Sequence, residues 1–224
     1  MVNTFLPHPL RQKEYNTGEY NTGVYTEDLK DIFQNIARDL DFRRVQKQWV
    51  EAKQIILLHE DLELLEGLLD FPIRVPDETV QVRIKLLVRK YKELGYYYTR
   101  NLETGDLGKI EKTSTLPIKE PRSEIRVLKL GFCYHPAVRM WFGYTNALRL
   151  YHDLIKENWT TREFKSQKIR TVNPLFRPTE PLIVPPWFGR PDIHTSHRSK
   201  LVEKYPEHYG KLYSEQPGLS YVWP

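Results

Sequence analysis

The sequence has almost no cysteine and no long apolar segment. Cys133 is the only cysteine among 224 residues, so no disulfide can form within the chain. A reducing compartment such as the cytosol or the nucleus therefore fits best. No apolar run approaches the ~20 residues that a membrane-spanning helix needs. The first residues, MVNTFLPHPL, also lack the charged and apolar regions of a signal peptide, so we expect no membrane segment.

The chain also lacks a strong excess of either charge. Its 34 basic and 29 acidic residues leave a formal net charge of +5, which permits an anionic partner without requiring one. Hydrophobic residues make up 40% and charged residues 28% of the sequence, a balance typical of globular domains. A chain of this length can form one large domain, or a domain with a substantial insertion.

The stretch around which the chain is organised runs from Asp41 to Ile56, DFRRVQKQWVEAKQII. On a helix, four apolar residues of this stretch share one face, which predicts a buried stripe. They are Val45, Trp49, Ala52 and Ile56. The neighbouring row on the same helix carries a single carboxylate. A polar row beside an apolar stripe usually lies along the edge of a groove. The neighbouring row consists of Arg44, Gln48, Glu51 and Ile55. Alternatively, Arg44 and Glu51 form an ordinary solvated charge pair.

Two helical regions with a different segment between them predict a mainly α fold. Helical periodicity begins at Thr26, a good N-cap residue, and continues through the central stretch to Leu69. A second core helix is predicted over residues 131–159, where apolar residues cover almost the whole circumference. Between them, residues 76–126 predict a basic amphipathic helix followed by a β-hairpin around a Gly-Asp turn.

We therefore expect residues 76–126 to form an α/β-hairpin arm inserted between residues 1–75 and 127–224. The Lys and Arg residues of this arm either contact nucleic acid or only keep an exposed arm soluble. The duplicated EYNTG at residues 14–23 predicts a surface loop. The proline-rich residues 171–191 are predicted to cross the surface in extended form.

Cationic and aromatic residues indicate where an anionic partner would bind. His135 lies at the predicted start of the second core helix, where backbone N–H groups attract phosphate or carboxylate; a histidine there also serves as a cap. The tail from His194 to Tyr213 alternates cations with tyrosine rings, which suits a nucleic-acid backbone with bases nearby. His194 and His197 have the spacing of half a zinc site, but no further ligands follow at metal spacing, so we expect no metal.

Five segments, taken in order, resemble the pyrimidine-dimer DNA glycosylase family of the phage endonuclease V type. They are MVNTFLPHP, LDFRRVQKQWVEAKQI, YHPAVRMWFGYTNALRLYHDLIKENW, HTSHRSKLVEKYPEHYGKLY and YVWP, and together they make up about a third of the chain. The family is a compact all-helical single domain. The resemblance therefore implies the same fold here, DNA as the partner and no cofactor.

The resemblance also implies a catalytic pair. Once the initiator Met is removed, family enzymes use the α-amine of the second residue to displace the damaged base and form an imine at C1′. Here that residue is Val2. The matching carboxylate is Glu51, which would stabilise positive charge on the sugar and help to remove the C2′ proton. An α-amine, with a pKa of about 7.7 to 8.0, is neutral far more often than a lysine at neutral pH.

The resemblance is weaker at the positions that bind DNA. Family members that cut pyrimidine dimers carry arginines at the positions of Asn3, Val50 and Gln54, so dimer specificity does not follow. The predicted DNA contacts are residues that occupy, replace or complete this phosphate track. They are Asn3, Arg43, Arg44, Lys47, Gln48, His135, Arg139, His197, Arg198 and Lys200.

Two functions from different classes remain open at this point. The first is a DNA glycosylase with AP-lyase activity on damaged or modified bases of duplex DNA. The second is a family member without catalysis that serves as a nucleic-acid-binding or structural component of a larger assembly. Protein partners of such an assembly would contact the arm at 76–126, and a virion would be a suitable location.

Overall fold

The computed structural model describes residues 26–69, 79–101, 103–112, 125–128, 130–162 and 174–224. Within these residues the chain forms seven helices and one three-stranded sheet, so the prediction of a mainly α fold with an α/β-hairpin segment is confirmed. Val2, Asn3 and the EYNTG repeat lie outside the described residues. In the part of the chain that is described, no helix combines the length and the apolarity that crossing a membrane requires.

The helices are α1 (Thr26–Asp39), α2 (Phe42–Leu68), α3 (Val80–Glu93), α4 (Pro136–Trp141), α5 (Thr145–Thr161), α6 (Pro191–Lys204) and α7 (Pro206–Tyr209). The strands are β1 (Tyr96–Asn101), β2 (Leu107–Glu111) and β3 (Ile125–Val127), in the sheet order β2-β1-β3. Residues 174–190, the described part of the proline-rich segment, contain no helix or strand.

The described residues divide into two compact units. Among the described residues, unit 1 contains 26–56, 140–162 and 174–224, and unit 2 contains 57–69, 79–101, 103–112, 125–128 and 130–139. These boundaries differ from those of the predicted arm at 76–126. The insertion of that arm into a single domain stays a prediction.

The core of unit 1 forms where α1 packs against α5. One face of α1 is fully buried through Leu29, Phe33, Ile36 and Ala37. The Phe33 ring meets the ring of Tyr151 on α5 edge-on, with 5.2 Å between the ring centroids, an arrangement that aromatic pairs favour. Trp187 is also buried, and its indole N–H donates a hydrogen bond to the carbonyl of Met140 at 2.7 Å.

The predicted helical run from Thr26 to Leu69 is interrupted at residues 40 and 41, and we correct it here. α1 ends at Asp39 and α2 begins at Phe42. The Asp41 carboxylate accepts hydrogen bonds from the backbone N–H groups of Arg43 at 2.9 Å and Arg44 at 3.3 Å, so Asp41 acts as the N-cap of α2. The apolar spacing continues across this break, and periodicity alone therefore does not show it.

The second predicted core helix is also two helices, α4 and α5. Three residues separate them, and the middle one, Gly143, has φ 86°, a left-handed backbone conformation that ends a helix and favours glycine. Pro136 occupies the first position of α4, as its sequence position predicts. The apolar pattern does not reveal this turn, because the apolar residues on both sides of it are buried whether the segment forms one helix or two.

Replacing Gly143 with Ala is expected to lower the free energy of unfolding by about 1 to 2 kcal/mol, because an L-residue is strained at positive φ. Gly67→Ala is the matched control, since an added Cβ meets no atom within 4 Å at either glycine. Gly67 lies inside α2, where Ala stabilises a helix by about 0.5 to 1 kcal/mol over Gly. Chemical denaturation measures the free energy of unfolding of both variants, which should change in opposite directions. Equal changes in the two variants would contradict the explanation.

Unit 2 contains both elements predicted for the segment after residue 76. α3 covers most of the predicted basic helix, and β1 pairs antiparallel with β2 from Tyr96 opposite Glu111 to Arg100 opposite Leu107. Gly105 of the connecting turn has φ 78°. β3, which pairs with the other edge of β1, was not predicted, because three residues carry too little periodicity. The buried face of α3 consists of Ile84, Leu87, Val88 and Tyr91.

Candidate nucleic-acid site on helix α2

Glu51, the carboxylate predicted to act in catalysis, lies half-buried on α2 in unit 1. Burial, followed by the negative charge of Glu51, raises the pKa of Tyr151 well above its ordinary value. The Tyr151 hydroxyl donates a hydrogen bond to Gln48 Oε1 at 3.2 Å. Glu51 is therefore close to a buried polar pair that joins α2 to α5.

This arrangement determines what the carboxylate can do. Because its pKa is raised, Tyr151 remains a neutral hydroxyl throughout the physiological pH range and adds no charge near Glu51. A half-buried carboxylate interacts more strongly with positive charge than one in bulk water, since the local dielectric is lower. Glu51 can thus stabilise a cation or accept a proton from a group that approaches it from solvent.

The row beside the apolar stripe is more buried than predicted. Arg44 and Glu51 are half-buried, as expected at the edge of a groove, whereas Gln48 is only 3% exposed and Ile55 is also buried. Gln48 would have to leave its hydrogen bond with Tyr151 to contact DNA, and its DNA contact stays a prediction. In the apolar stripe, Trp49 departs from the prediction because it is half-buried.

Two of the predicted cations remain at the surface of unit 1. Arg43 and Lys47 are exposed on the first two turns of α2, and the Arg43 guanidinium lies 5.6 Å from the ring centroid of Phe42. Arg44 instead pairs with Asp41 at 3.1 Å, an ion pair at the beginning of the helix. Of the α2 cations predicted to contact DNA, Arg43 and Lys47 are therefore the most accessible to a phosphate.

In unit 2, His135 caps helix α4, and its contact with an anion stays a prediction. Its Nδ1 accepts a hydrogen bond from the N–H of Ala137 at 3.2 Å, at the start of the six-residue α4. Burial, and then the charge of Arg139, lower the pKa of His135, which disfavours the cationic form that an anion would need. Arg139 is half-buried and donates a hydrogen bond to Gln81 Oε1 on α3 at 2.8 Å.

The basic and aromatic tail is largely used inside unit 1. Arg198 is half-buried in an ion pair with Glu215, and Lys200 contacts Glu203 at 2.7 Å. Tyr209 and Tyr213 are buried rather than free to stack on bases. These four side chains are used within unit 1, whereas Lys204, Tyr205 and Lys211 of the same tail are exposed. A nucleic-acid surface on the tail stays a prediction.

His197, also predicted to contact DNA, is only 4% exposed. Its ring centroid lies 4.9 Å from that of Tyr221 and 6.1 Å from that of Trp223, so it packs against the C-terminal segment. Burial, followed by the charges of His194 and Lys204, lowers the pKa of His197 to about 3. His197 is thus a buried side chain in unit 1, and its contact with DNA stays a prediction.

We expect the stability of unit 1 to fall on acidification partly because of His197. Its folded pKa of about 3 lies below the ordinary value of 6.5, so the unfolded chain binds more protons between these values. The stability present above pH 6.5 is lost as the pH falls, by at most about 1.4 kcal/mol per pH unit. His197→Gln should make the pH dependence of the unfolding free energy shallower between about pH 4 and 6. Identical slopes in both proteins would refute this.

Sequence reasoning named Gln48 but missed its hydrogen bond with Tyr151 beside Glu51. Gln48 and Tyr151 are 103 positions apart, and no local spacing connects them. Asp41 carried a detectable signal, because an aspartate directly before a helical stretch is a typical N-cap. Across the described ranges, no group of three His, Cys, Asp or Glu side chains is arranged to hold a metal ion.

Comparison with known proteins assigns the family. A family model described as pyrimidine dimer DNA glycosylase matches residues 28–171, more than half of the chain. The match includes Glu51 and helices α2 to α5; Val2 and the C-terminal helices lie outside it. Comparisons with curated proteins and with solved structures returned no match. The match supports a DNA glycosylase-type role in repair, with DNA as the substrate. The chain belongs to the pyrimidine dimer DNA glycosylase family.

Proposed function

We propose that the protein is a DNA glycosylase with AP-lyase activity that removes damaged or modified bases from duplex DNA. The observation that carries the proposal is the position of Glu51. This carboxylate is half-buried on α2, lies within the residues that match the family, and has a neutral, buried Tyr151 hydroxyl as its neighbour. A carboxylate in this setting suits the stabilisation of a cationic sugar and the removal of a proton.

The proposed nucleophile is the α-amine of Val2, exposed by removal of Met1. Its nitrogen forms a bond to C1′ while the glycosidic bond breaks, and the base departs with the electron pair and gains a proton. Loss of a proton from nitrogen and opening of the sugar ring then produce the imine. Glu51 accepts the C2′ proton, and the released electrons expel the 3′ phosphate, which breaks the strand.

The proposed DNA contacts near Glu51 are Arg43 and Lys47, because both are exposed on α2 within the two turns before it. Asn3, Arg44, Arg139 and Lys200 remain further candidates. Of these, Arg44 and Lys200 already hold an acidic partner, Asp41 and Glu203 respectively. Competition from those carboxylates would weaken a phosphate contact, so we assign the larger electrostatic contribution to Arg43 and Lys47.

Borohydride trapping tests the proposal. Incubation with abasic-site duplex DNA and borohydride should reduce the imine to a stable protein–DNA adduct, and peptide mapping should locate it on the amine of Val2. An adduct on a lysine would retain the lyase but refute the role of Val2. Intact DNA binding without any adduct would refute catalysis and support the alternative, a nucleic-acid-binding or structural component of a larger assembly.

A further inference from the structure

Phe132 is the most exposed large apolar side chain among the described residues, at 78%. It lies in the turn at residues 131–134 that precedes α4. Tyr134 of the same turn is 44% exposed, so two aromatic rings are open to solvent within three residues. Single exposed apolar residues are common on proteins, and Phe132 therefore needs further observations to indicate a function.

The backbone that carries Phe132 is held in place. Cys133 is fully buried, and its N–H donates a hydrogen bond to the carbonyl of Leu130 at 3.3 Å. The N–H of His135 donates to the carbonyl of Phe132 at 2.9 Å, and His135 in turn caps α4. A buried anchor on one side and a helix start on the other present the Phe132 ring on a fixed turn.

A row of cations lies on α3 of the same unit. Lys85, Arg89 and Lys92 are exposed and spaced by four and three residues, so they share one face of α3, on the flank of its buried residues. We call these three the α3 basic stripe. No acidic residue precedes Glu93 in this helix. The stripe is therefore a line of positive charge along one helix face.

Not every cation in this region is available to a partner. The Lys112 ammonium donates hydrogen bonds to the carbonyls of Tyr91 at 3.0 Å and Lys92 at 2.8 Å, at the C-terminal end of α3. Cations there satisfy carbonyls that have no partner within the helix. Lys112 thus has a structural role and is not part of the α3 basic stripe.

The stripe and the Phe132 turn belong to the same part of unit 2. The Tyr91 hydroxyl, one residue before Lys92, donates a hydrogen bond to the carbonyl of Leu128 at 3.4 Å. Burial raises the pKa of the Cys133 thiol, and the charge of Lys92 partly offsets this. The C-terminal end of the stripe is therefore close to the turn.

We infer that this surface of unit 2 binds duplex DNA, with the α3 basic stripe on the phosphates and Phe132 inserted between neighbouring base pairs. Apolar side chains used in this way partly unstack and kink a duplex, which helps an enzyme to extract a base. The inference rests on DNA as the substrate and is independent of the AP-lyase chemistry. A second copy of the chain is a poorer occupant, because a symmetric interface would place like charges together.

The test uses a duplex that contains 2-aminopurine beside a tetrahydrofuran abasic analogue, which cannot form an imine. Binding of the wild-type protein should raise the 2-aminopurine fluorescence by unstacking it. Phe132→Ala should lose most of this increase and bind about tenfold more weakly. Phe132→Leu, a smaller apolar wedge, should retain part of the signal. Leu107→Ala is the matched control, since Leu107 is an exposed apolar residue on β2 of the same unit.

The stripe is tested through the salt dependence of binding. Arg89→Gln should lower the slope of log K against log salt by about one. Arg38→Gln, which removes an exposed arginine from α1, should leave the slope unchanged. Unchanged fluorescence and affinity in Phe132→Ala, or equal slopes for the two arginine variants, would overturn the inference. Loss of borohydride trapping with the wedge signal intact would instead count against the proposed lyase.

Discussion

Glu51→Gln is expected to reduce strand cleavage at abasic sites by a factor of about 10² to 10⁴, while duplex affinity changes by less than about threefold. Glutamine keeps the size of the side chain and its hydrogen-bonding capacity, but it cannot accept the C2′ proton or balance a cationic sugar. Single-turnover cleavage of abasic duplex DNA and a binding titration at the same salt concentration measure the two quantities. The structure adds that Tyr151 should stay neutral in both proteins, because burial is the main cause of its raised pKa.

Glu157→Gln provides the matched control for this experiment. Glu157 is an exposed residue of α5 in the same unit, so its replacement changes the net charge equally without touching α2. Cleavage should remain close to that of the wild-type protein. Full cleavage by Glu51→Gln would remove Glu51 from the mechanism, and an equal loss in both variants would indicate a general effect of charge.

Asp41→Ala is expected to lower the free energy of unfolding by about 3 kcal/mol. Three contributions add: the N-cap of α2, typically about 1 kcal/mol, the ion pair with Arg44, and the hydrogen bond from the buried Tyr209 hydroxyl to Asp41 Oδ2 at 2.6 Å. A buried hydroxyl that loses its acceptor costs about 1 to 3 kcal/mol. Urea denaturation monitored by tryptophan fluorescence measures the change.

Tyr209→Phe separates the contributions at this site. The Tyr209 hydroxyl also accepts a hydrogen bond from the Asp41 N–H at 3.0 Å, so Phe removes both hydrogen bonds but keeps the helix cap and the ion pair. We expect a loss of about 1.5 to 2 kcal/mol, and the double variant should be less destabilised than the sum of the two single variants. If the losses in the free energy of unfolding were strictly additive, the interaction between Asp41 and Tyr209 would not contribute to the stability of unit 1.

The elements that sequence patterns predict well are those whose signal is local. The hairpin after α3 combines a Gly-Asp turn with β-prone runs on both sides, and β1 and β2 form at that place. The end of α2 at Leu68 is one residue before the predicted end at Leu69. The breaks at Asp41 and Gly143 escaped the periodicity argument, because a turn between two buried helices preserves apolar spacing on both sides.

The candidate site was predictable only in part. Glu51 was selected from its place beside an apolar stripe and from the family resemblance, and it is half-buried as that place requires. The tail shows why composition alone does not select a binding site. Its cations and rings are suitable for binding nucleic acid and equally suitable for internal ion pairs such as that of Arg198 with Glu215, and composition does not distinguish the two.

The sequence by itself determined the mainly α class, the family and the identity of the candidate carboxylate, because each depends on residue type and on short-range spacing. Only the tertiary structure decided which polar residues are used internally, among them Gln48 with Tyr151 and Asp41 with Tyr209. It also decided that Phe132 is exposed while the neighbouring Cys133 is buried. Burial and hydrogen bonding between distant residues depend on how the helices pack, and packing is a property of the whole chain rather than of any segment.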